Sequence, residues 1–236
     1  RLCSSAASDV YKRQDINSTA YVTSNFVSGF DMVANARESG DGDGYDTDPT
    51  DPGAYVTSGS HGTHVGTTIA AKNDGQNLNG FSIHVVPMRV FGTSGGAFDS
   101  DIINAMLYSA GLSNSSAQIY SGSVPIRVIN MSLGSIGGGC STSWRNAIND
   151  LYNLGISIVS SAGNSGLEYP DYYGYPASCP NVISVAATDP AGNVAYYSQV
   201  NDLVDIAAPG GTVGTDINAD GVADGVVAFD TNEDLY

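Results

Sequence analysis

Apolar positions along the chain follow two spacings, and their alternation predicts the fold class. Continuous apolar runs, typical of buried strands, fall at 83–90, 127–131, 156–160, 182–187 and 203–208. Segments with helical spacing lie at 63–72, 100–112 and 143–154. Apolar strands that alternate with helices are typical of a mostly parallel sheet covered by helices. The pattern therefore predicts an α/β fold, and no repeat or linker divides the chain.

Two segments at the front of the chain lack this periodicity. Residues 15–58 are rich in Gly, Asp, Ser, Thr and Tyr, and we expect them to be irregular. Residues 1–14, RLCSSAASDVYKRQ, lack the apolar centre of a signal peptide and resemble translated sequencing-adapter read-through. We expect 1–14 to be a non-native scar and 15–236 to belong to one domain.

The net charge of the chain narrows the classes of molecule that it is expected to bind. The 236 residues include 24 acidic and 8 basic side chains, for a net charge of −16. Such a surface disfavours nucleic acid and anionic membranes as partners. No apolar run approaches the length of a membrane span. The charge suits a secreted protein or a cation binder, although a solvated acidic surface also explains it.

Cys140 and Cys179 form an even pair once Cys3 is set aside with the front segment. In an acidic, lysine-poor chain the pair favours a disulfide formed in an oxidising compartment. Two buried free thiols are the alternative.

Histidine chemistry is indicated at Gly59-Ser60-His61-Gly62-Thr63-His64-Val65. His61 follows a turn-forming Gly-Ser and opens a predicted helix, where a neutral imidazole can act as a general base near pH 7. A structural histidine and a metal shared with His64 are the alternatives. The spacing lacks the glutamate of H-E-x-x-H, which disfavours zinc.

Small residues follow two predicted strands. Ser132-Leu133-Gly134 and Ala162-Gly163-Asn164 stand just past strand ends, where parallel sheets bind their ligands. Glycine there allows another backbone to approach closely.

Five segments in this order resemble the subtilisin-like serine proteases, or subtilases, of the secreted bacterial type. They are 60–65, 129–134, 161–164, 175–187 and 204–210. The resemblance implies a three-layer subtilisin-like fold with a mostly parallel central sheet. It also implies an extracellular, monomeric endopeptidase that acts on peptides or proteins.

The same resemblance assigns roles to individual residues. His61 is the expected general base, and the Asn164 amide is the expected donor to the oxyanion. An extended substrate is expected between two edges, and a side-chain pocket is expected between the segments past the two strands. The residues implied for substrate binding are Gly95, Gly96, Ser132, Leu133, Gly134, Ala162 and Gly163. The pocket segments carry no acidic residue, so we expect a preference for apolar or varied side chains.

Two family segments are not found in the chain. No strand ending in Asp-Thr-Gly precedes the histidine, and Asp31 in Gly29-Phe30-Asp31 matches a later family position. The nucleophile segment Gly-Thr-Ser-Met-Ala is also missing, since the last serine is Ser198. We therefore expect a fragment, incomplete at both ends and inactive as written. A pseudoprotease or a non-catalytic calcium-dependent binding module is the alternative.

Calcium is the one cofactor that the sequence indicates, in a structural role. The loop at 216–224 has the D-x-N-x-D-G spacing of a calcium site, with candidate ligands Asp216, Asn218, Asp220 and Asp224. Val227 stands at the twelfth position instead of an acid. A second cluster, from Asp41 to Asp46, is similar, and a solvated acidic turn is the alternative for both.

Overall fold

The computed structural model describes residues 2–4 (backbone only), 25–50, 61–71, 80–137 and 139–212. The α/β prediction is confirmed, with a mostly parallel central sheet. The described residues fall into two compact units. The first comprises Arg1–Ser132 and Asn153–Ile156, and the second Leu133–Tyr152 and Ser157–Val226, each as far as it is described.

Among the described residues, four parallel strands form the sheet of the first unit. In sheet order they are β2 (Phe30–Asp31), β3 (Val85–Arg89), β1 (Leu2–Ser4) and β4 (Val128–Met131). The helices in the described part of this unit are α1 (Ala36–Ser39), α2 (His61–Ala70) and α3 (Asp99–Ser109). All five positions of β3 are buried, as expected for a parallel strand covered on both faces.

Local chemistry explains where the helices of this unit begin. The Asn35 side chain accepts a hydrogen bond from the Arg37 backbone N–H and so caps α1. Asp99 and Asp101 occupy the first turn of α3, where negative charge complements the helix dipole. Against this helix the Phe30 ring packs on Tyr108, with ring centroids 4.8 Å apart.

As far as it is described, the second unit contains three parallel strands and a short antiparallel pair. The parallel strands are β6 (Ser157–Ser161), β8 (Val182–Thr188) and β9 (Ile206–Pro209). The antiparallel pair is β5 (Ser135–Ile136) with β7 (Gly174–Tyr175). Helix α4 (Thr142–Asn153) buries one face at helical spacing, through Trp144, Ala147, Ile148 and Leu151.

The predicted cysteine pair is a disulfide in this unit. Cys140 and Cys179 are bridged with 5.4 Å between their Cα atoms, so the alternative of two free thiols is wrong.

The eight elements predicted from periodicity are all present, with bounds shifted by a few residues. The prediction that 15–58 is irregular is wrong at β2 and α1. A two-residue strand and a single-turn helix are too short to show a period, and β2 is a strand only because it pairs with β3. Strand β1 lies within 1–14, so leaving that segment out of the predicted sheet was also wrong, although its non-native origin remains a prediction.

The calcium loop at 216–224 lies outside the described residues. Within the described part of the chain, no helix has both the length and the apolar character needed to cross a membrane.

Candidate active site

His61 is the first residue of α2, as the sequence predicted, and solvent reaches its side chain. The two residues after it, Gly62 and Thr63, are buried, which seats the first turn of the helix in the first unit. No acidic side chain lies in that first turn. The imidazole therefore stands at a helix end without a neighbouring helical carboxylate to favour its protonated form.

The surroundings lower the pKa of His61. Desolvation by the surrounding protein is the larger cause, because it disfavours the charged imidazolium. Positive charge on His64 is the second cause. A lowered pKa keeps the imidazole neutral at pH 7. Neutral imidazole is the form that can accept a proton from a nucleophile.

Replacing His64 with alanine is expected to raise the pKa of His61, because the variant removes the second of these causes. The shift can be measured by NMR titration of the His61 ring. His84→Ala removes a histidine that lies outside the α2 helix and serves as the matched control, with no change expected. A His61 pKa that falls or stays constant in His64→Ala would contradict the electrostatic coupling.

The segment after β6 presents Asn164 to solvent. The Ala162 backbone N–H donates to Val185 O at 2.8 Å, which continues the pairing of β6 with β8. Gly163 follows with φ of 123°, a conformation that favours glycine. Asn164 is exposed, and its side-chain amide makes no hydrogen bond within the described part of the chain. The amide is thus available to donate to a ligand.

Two of the predicted binding segments lie on either side of β7. A Cβ atom placed on Gly134 would lie 3.0 Å from Tyr175 O, and one placed on Gly174 would lie 2.6 Å from Ala162 O. Leu133 and Ala162 are buried at this place. The second unit therefore brings 133–134 and 162–163 together around Gly174, whose role the sequence motifs alone did not indicate.

The other predicted binding residues lie in the first unit. Ser132 follows β4, and its Oγ lies 3.0 Å from Asn130 Nδ2, which donates to it. Gly95 and Gly96 form an exposed turn closed by a hydrogen bond from Gly92 N–H to Gly96 O at 2.9 Å. Gly95 has φ of 80°. The predicted second edge for substrate is thus a glycine turn and not a regular strand.

An acidic cluster of Asp31, Asp41 and Asp46 lies elsewhere in the first unit, with carboxylate oxygens within 4.8 Å of one another. Arg89, which is fully buried, donates from Nη1 to Asp31 at 2.5 Å and to Asp41 at 3.3 Å. Its Nη2 donates to Ser39 O.

The Arg89 guanidinium balances the negative charge of this acidic cluster. Burial raises the pKa of Asp31 to about 7, and the Arg89 charge opposes that rise. Because the guanidinium already bonds two of the three carboxylates, the cluster has an internal cation and does not fit a calcium ion in this arrangement. Asp31 is therefore an ion-pair residue in this structure.

Comparison with known proteins accounts for this arrangement of motifs. The model of the subtilase family matches residues 8–233. The chain belongs to the subtilase family. This subtilase chain is 36% identical to an extracellular protease of Xanthomonas campestris pv. campestris, over 91% of its own length and 38% of that protein. It is 37% identical to an extracellular basic protease of Dichelobacter nodosus, over 79% of its own length and 33% of that protein.

Solved structures show the same relationship. A protease from Pseudoalteromonas arctica matches the subtilase chain with a TM-score of 0.77 and 34% identity, covering 96% of this chain and 66% of that one. The chain spans 38% and 33% of the length of the two curated relatives named above. The subtilisin-like fold predicted from the motifs is confirmed.

Proposed function

We propose that the protein containing this chain is a secreted serine endopeptidase that hydrolyses peptide bonds in peptides or proteins. The observation that carries the proposal is the subtilase match over 8–233. His61, at the start of α2 with a lowered pKa, supports the role of general base. Two relatives with extracellular in their names support secretion. We infer a monomer from the family resemblance alone.

The chain's own residues have defined parts in this reaction. Neutral His61 would accept the proton of a serine hydroxyl and would then return that proton to the leaving amine. The sequence as written has no Gly-Thr-Ser-Met-Ala segment to supply this serine. The Asn164 amide would donate to the oxyanion that forms on the substrate carbonyl. Ser132–Gly134 and the turn at Gly95–Gly96 would each pair with extended substrate backbone.

Composition of the two segments supports a preference for apolar or varied side chains. Leu133 and Ala162 are buried near β7, where Gly174 packs closely against Ala162 O. The two pocket segments contain no acidic residue that would select a basic side chain.

As written, the chain is expected to show no turnover of a peptide anilide, because it contains neither the Gly-Thr-Ser-Met-Ala nor the Asp-Thr-Gly segment. Turnover that disappears in His61→Ala would contradict this expectation. Joined to upstream and downstream coding sequence that encodes those two segments, the protein is expected to be active. In that active form His61→Ala should lower kcat by about 10⁴- to 10⁶-fold, the range for loss of a triad member.

A calcium-dependent binding module or pseudoprotease is the other outcome of the same experiment. The acidic loop at 216–224, with Asp216, Asn218, Asp220 and Asp224 as proposed ligands, favours a structural calcium ion. Folding that depends on calcium, measured with and without EDTA, would support that site in either function. Peptide binding without hydrolysis by the joined protein would overturn the endopeptidase proposal in favour of the binding module.

A further inference from the structure

A buried glutamine lies directly behind the segment that carries Asn164. Gln199 is 1% exposed, and a Cβ atom placed on Gly163 would lie 1.7 Å from its Oε1. The Gln199 backbone N–H also donates to Gly163 O at 3.3 Å. Side chain and backbone of one residue therefore contact the same glycine, next to Asn164.

The same side chain reaches the loop before β7. Its Nε2 donates to Tyr172 O at 2.6 Å, and its Oε1 lies 3.8 Å from a Cβ atom placed on Gly174. Gln199 thus joins the segment after β6 to the loop that leads into β7.

Gln199 is itself held to the sheet. The neighbouring Ser198 Oγ accepts from the Ala187 backbone N–H of β8 at 2.8 Å. Gly166 N–H donates to Tyr197 O at 2.8 Å, and a Cβ atom on Gly166 would lie 2.0 Å from Ser198 O. Residues 197–199 therefore form a support fastened to β8, against which the glycines at 163 and 166 pack closely.

We propose that Gln199 is a positioning residue that fixes the Asn164 amide for oxyanion binding by clamping Gly163 against the loop at Tyr172. This proposal rests on the proposed function of Asn164. The Asn164 side chain has no hydrogen bond of its own within the described residues, so its direction depends on the backbone that carries it. That backbone would turn about Gly163, which is the least restricted residue in the segment. A preorganised donor avoids the cost of reorientation during the reaction.

The test measures order and binding separately in the ¹⁵N-labelled chain. Gln199→Met keeps most of the side-chain volume and removes the amide, and Gln199→Ala removes both. Asn201→Ala is the matched control, because Asn201 Nδ2 also donates to Tyr172 O, at 2.9 Å, from a half-buried position. Relaxation gives the order parameters of Gly163 and Asn164, and titration with a tetrapeptide ending in a phenylalanine carboxylate gives Kd.

Wild type is expected to show order parameters of about 0.85 at both residues, and Gln199→Met values below about 0.6. The Kd of the peptide should rise about threefold to tenfold, as for loss of one hydrogen bond of ordinary net strength. Asn201→Ala should match wild type in both measurements. Gln199→Ala should follow Gln199→Met, and Gln199→Met decides the test if the alanine variant does not fold.

Three results would overturn the proposal: unchanged order in Gln199→Met, equal loosening in Asn201→Ala, or an equal loss of order throughout β8. The last would mean that Gln199 contributes only to general stability. If the peptide fails to shift the Asn164 side-chain signals of wild type, the proposed function of Asn164 fails instead. The order parameters still decide whether Gln199 holds the segment.

Discussion

Replacing Arg89 with methionine is expected to lower the free energy of unfolding by about 3–5 kcal/mol, the usual cost of removing one partner of a buried ion pair. Arg89 and Asp31 are both fully buried and lie 2.5 Å apart. The variant leaves the Asp31 carboxyl without its cation in a place where water cannot replace it. Urea unfolding of the purified chain at pH 8 measures the change.

The pH dependence of this loss has a defined sign. Burial already raises the folded-state pKa of Asp31 to about 7, and removing the opposing Arg89 charge raises it further. A raised carboxyl pKa gives stability that is fully present below the unfolded-state pKa and is lost as pH rises through the folded-state pKa. The difference between wild type and variant should therefore be smaller at pH 5 than at pH 8.

Two variants serve as controls for Arg89→Met. Arg37→Met removes an exposed arginine of the same unit and should change stability by less than about 0.5 kcal/mol. The double variant Asp31→Asn with Arg89→Met should recover part of the loss, because neither charge is then left alone. Arg89 Nε has no hydrogen-bond partner among the described residues, and its removal offsets part of the loss equally in the single and the double variant. A loss below about 1 kcal/mol in Arg89→Met would contradict the prediction.

Replacing both Cys140 and Cys179 with serine is expected to lower the free energy of unfolding by about 4 kcal/mol. The two cysteines are 39 positions apart, and the chain-entropy model gives about this value for a closed loop of that size. The disulfide acts mainly on the unfolded chain, which becomes freer when the loop opens. Equilibrium unfolding in urea, with the slope of the transition compared between forms, measures the effect.

Reduction provides the matched control for this variant. Dithiothreitol should lower the stability of wild type to that of the double-serine form and leave the double-serine form unchanged. Equal stability of oxidised and reduced wild type would show that the disulfide contributes nothing.

The sheet and helices were predictable wherever the pattern was long enough to show a period. Strand β8 and helix α4 each repeat their apolar spacing over seven or more residues, so local sequence identifies them. Strands β2, β5 and β7 have two residues each and exist through pairing with distant segments. No local pattern could indicate them.

The residues of the candidate site also divide into those that the sequence indicated and those that it did not. His61 and Asn164 stand in short motifs with strand or helix ends beside them, so their places followed from sequence. Gly174 and Gln199 carry no such signal, because their importance comes from what they touch.

The sequence by itself determined the fold class, the family and the places of His61 and Asn164, because spacing and motifs are properties of neighbouring residues. Only the tertiary structure decided that Arg89 balances Asp31 and that Gln199 packs on Gly163. These pairs are separated by 58 and 36 positions along the chain. A buried charge or amide takes its partner from whatever the packing brings within hydrogen-bond distance, and that partner is set by the fold as a whole.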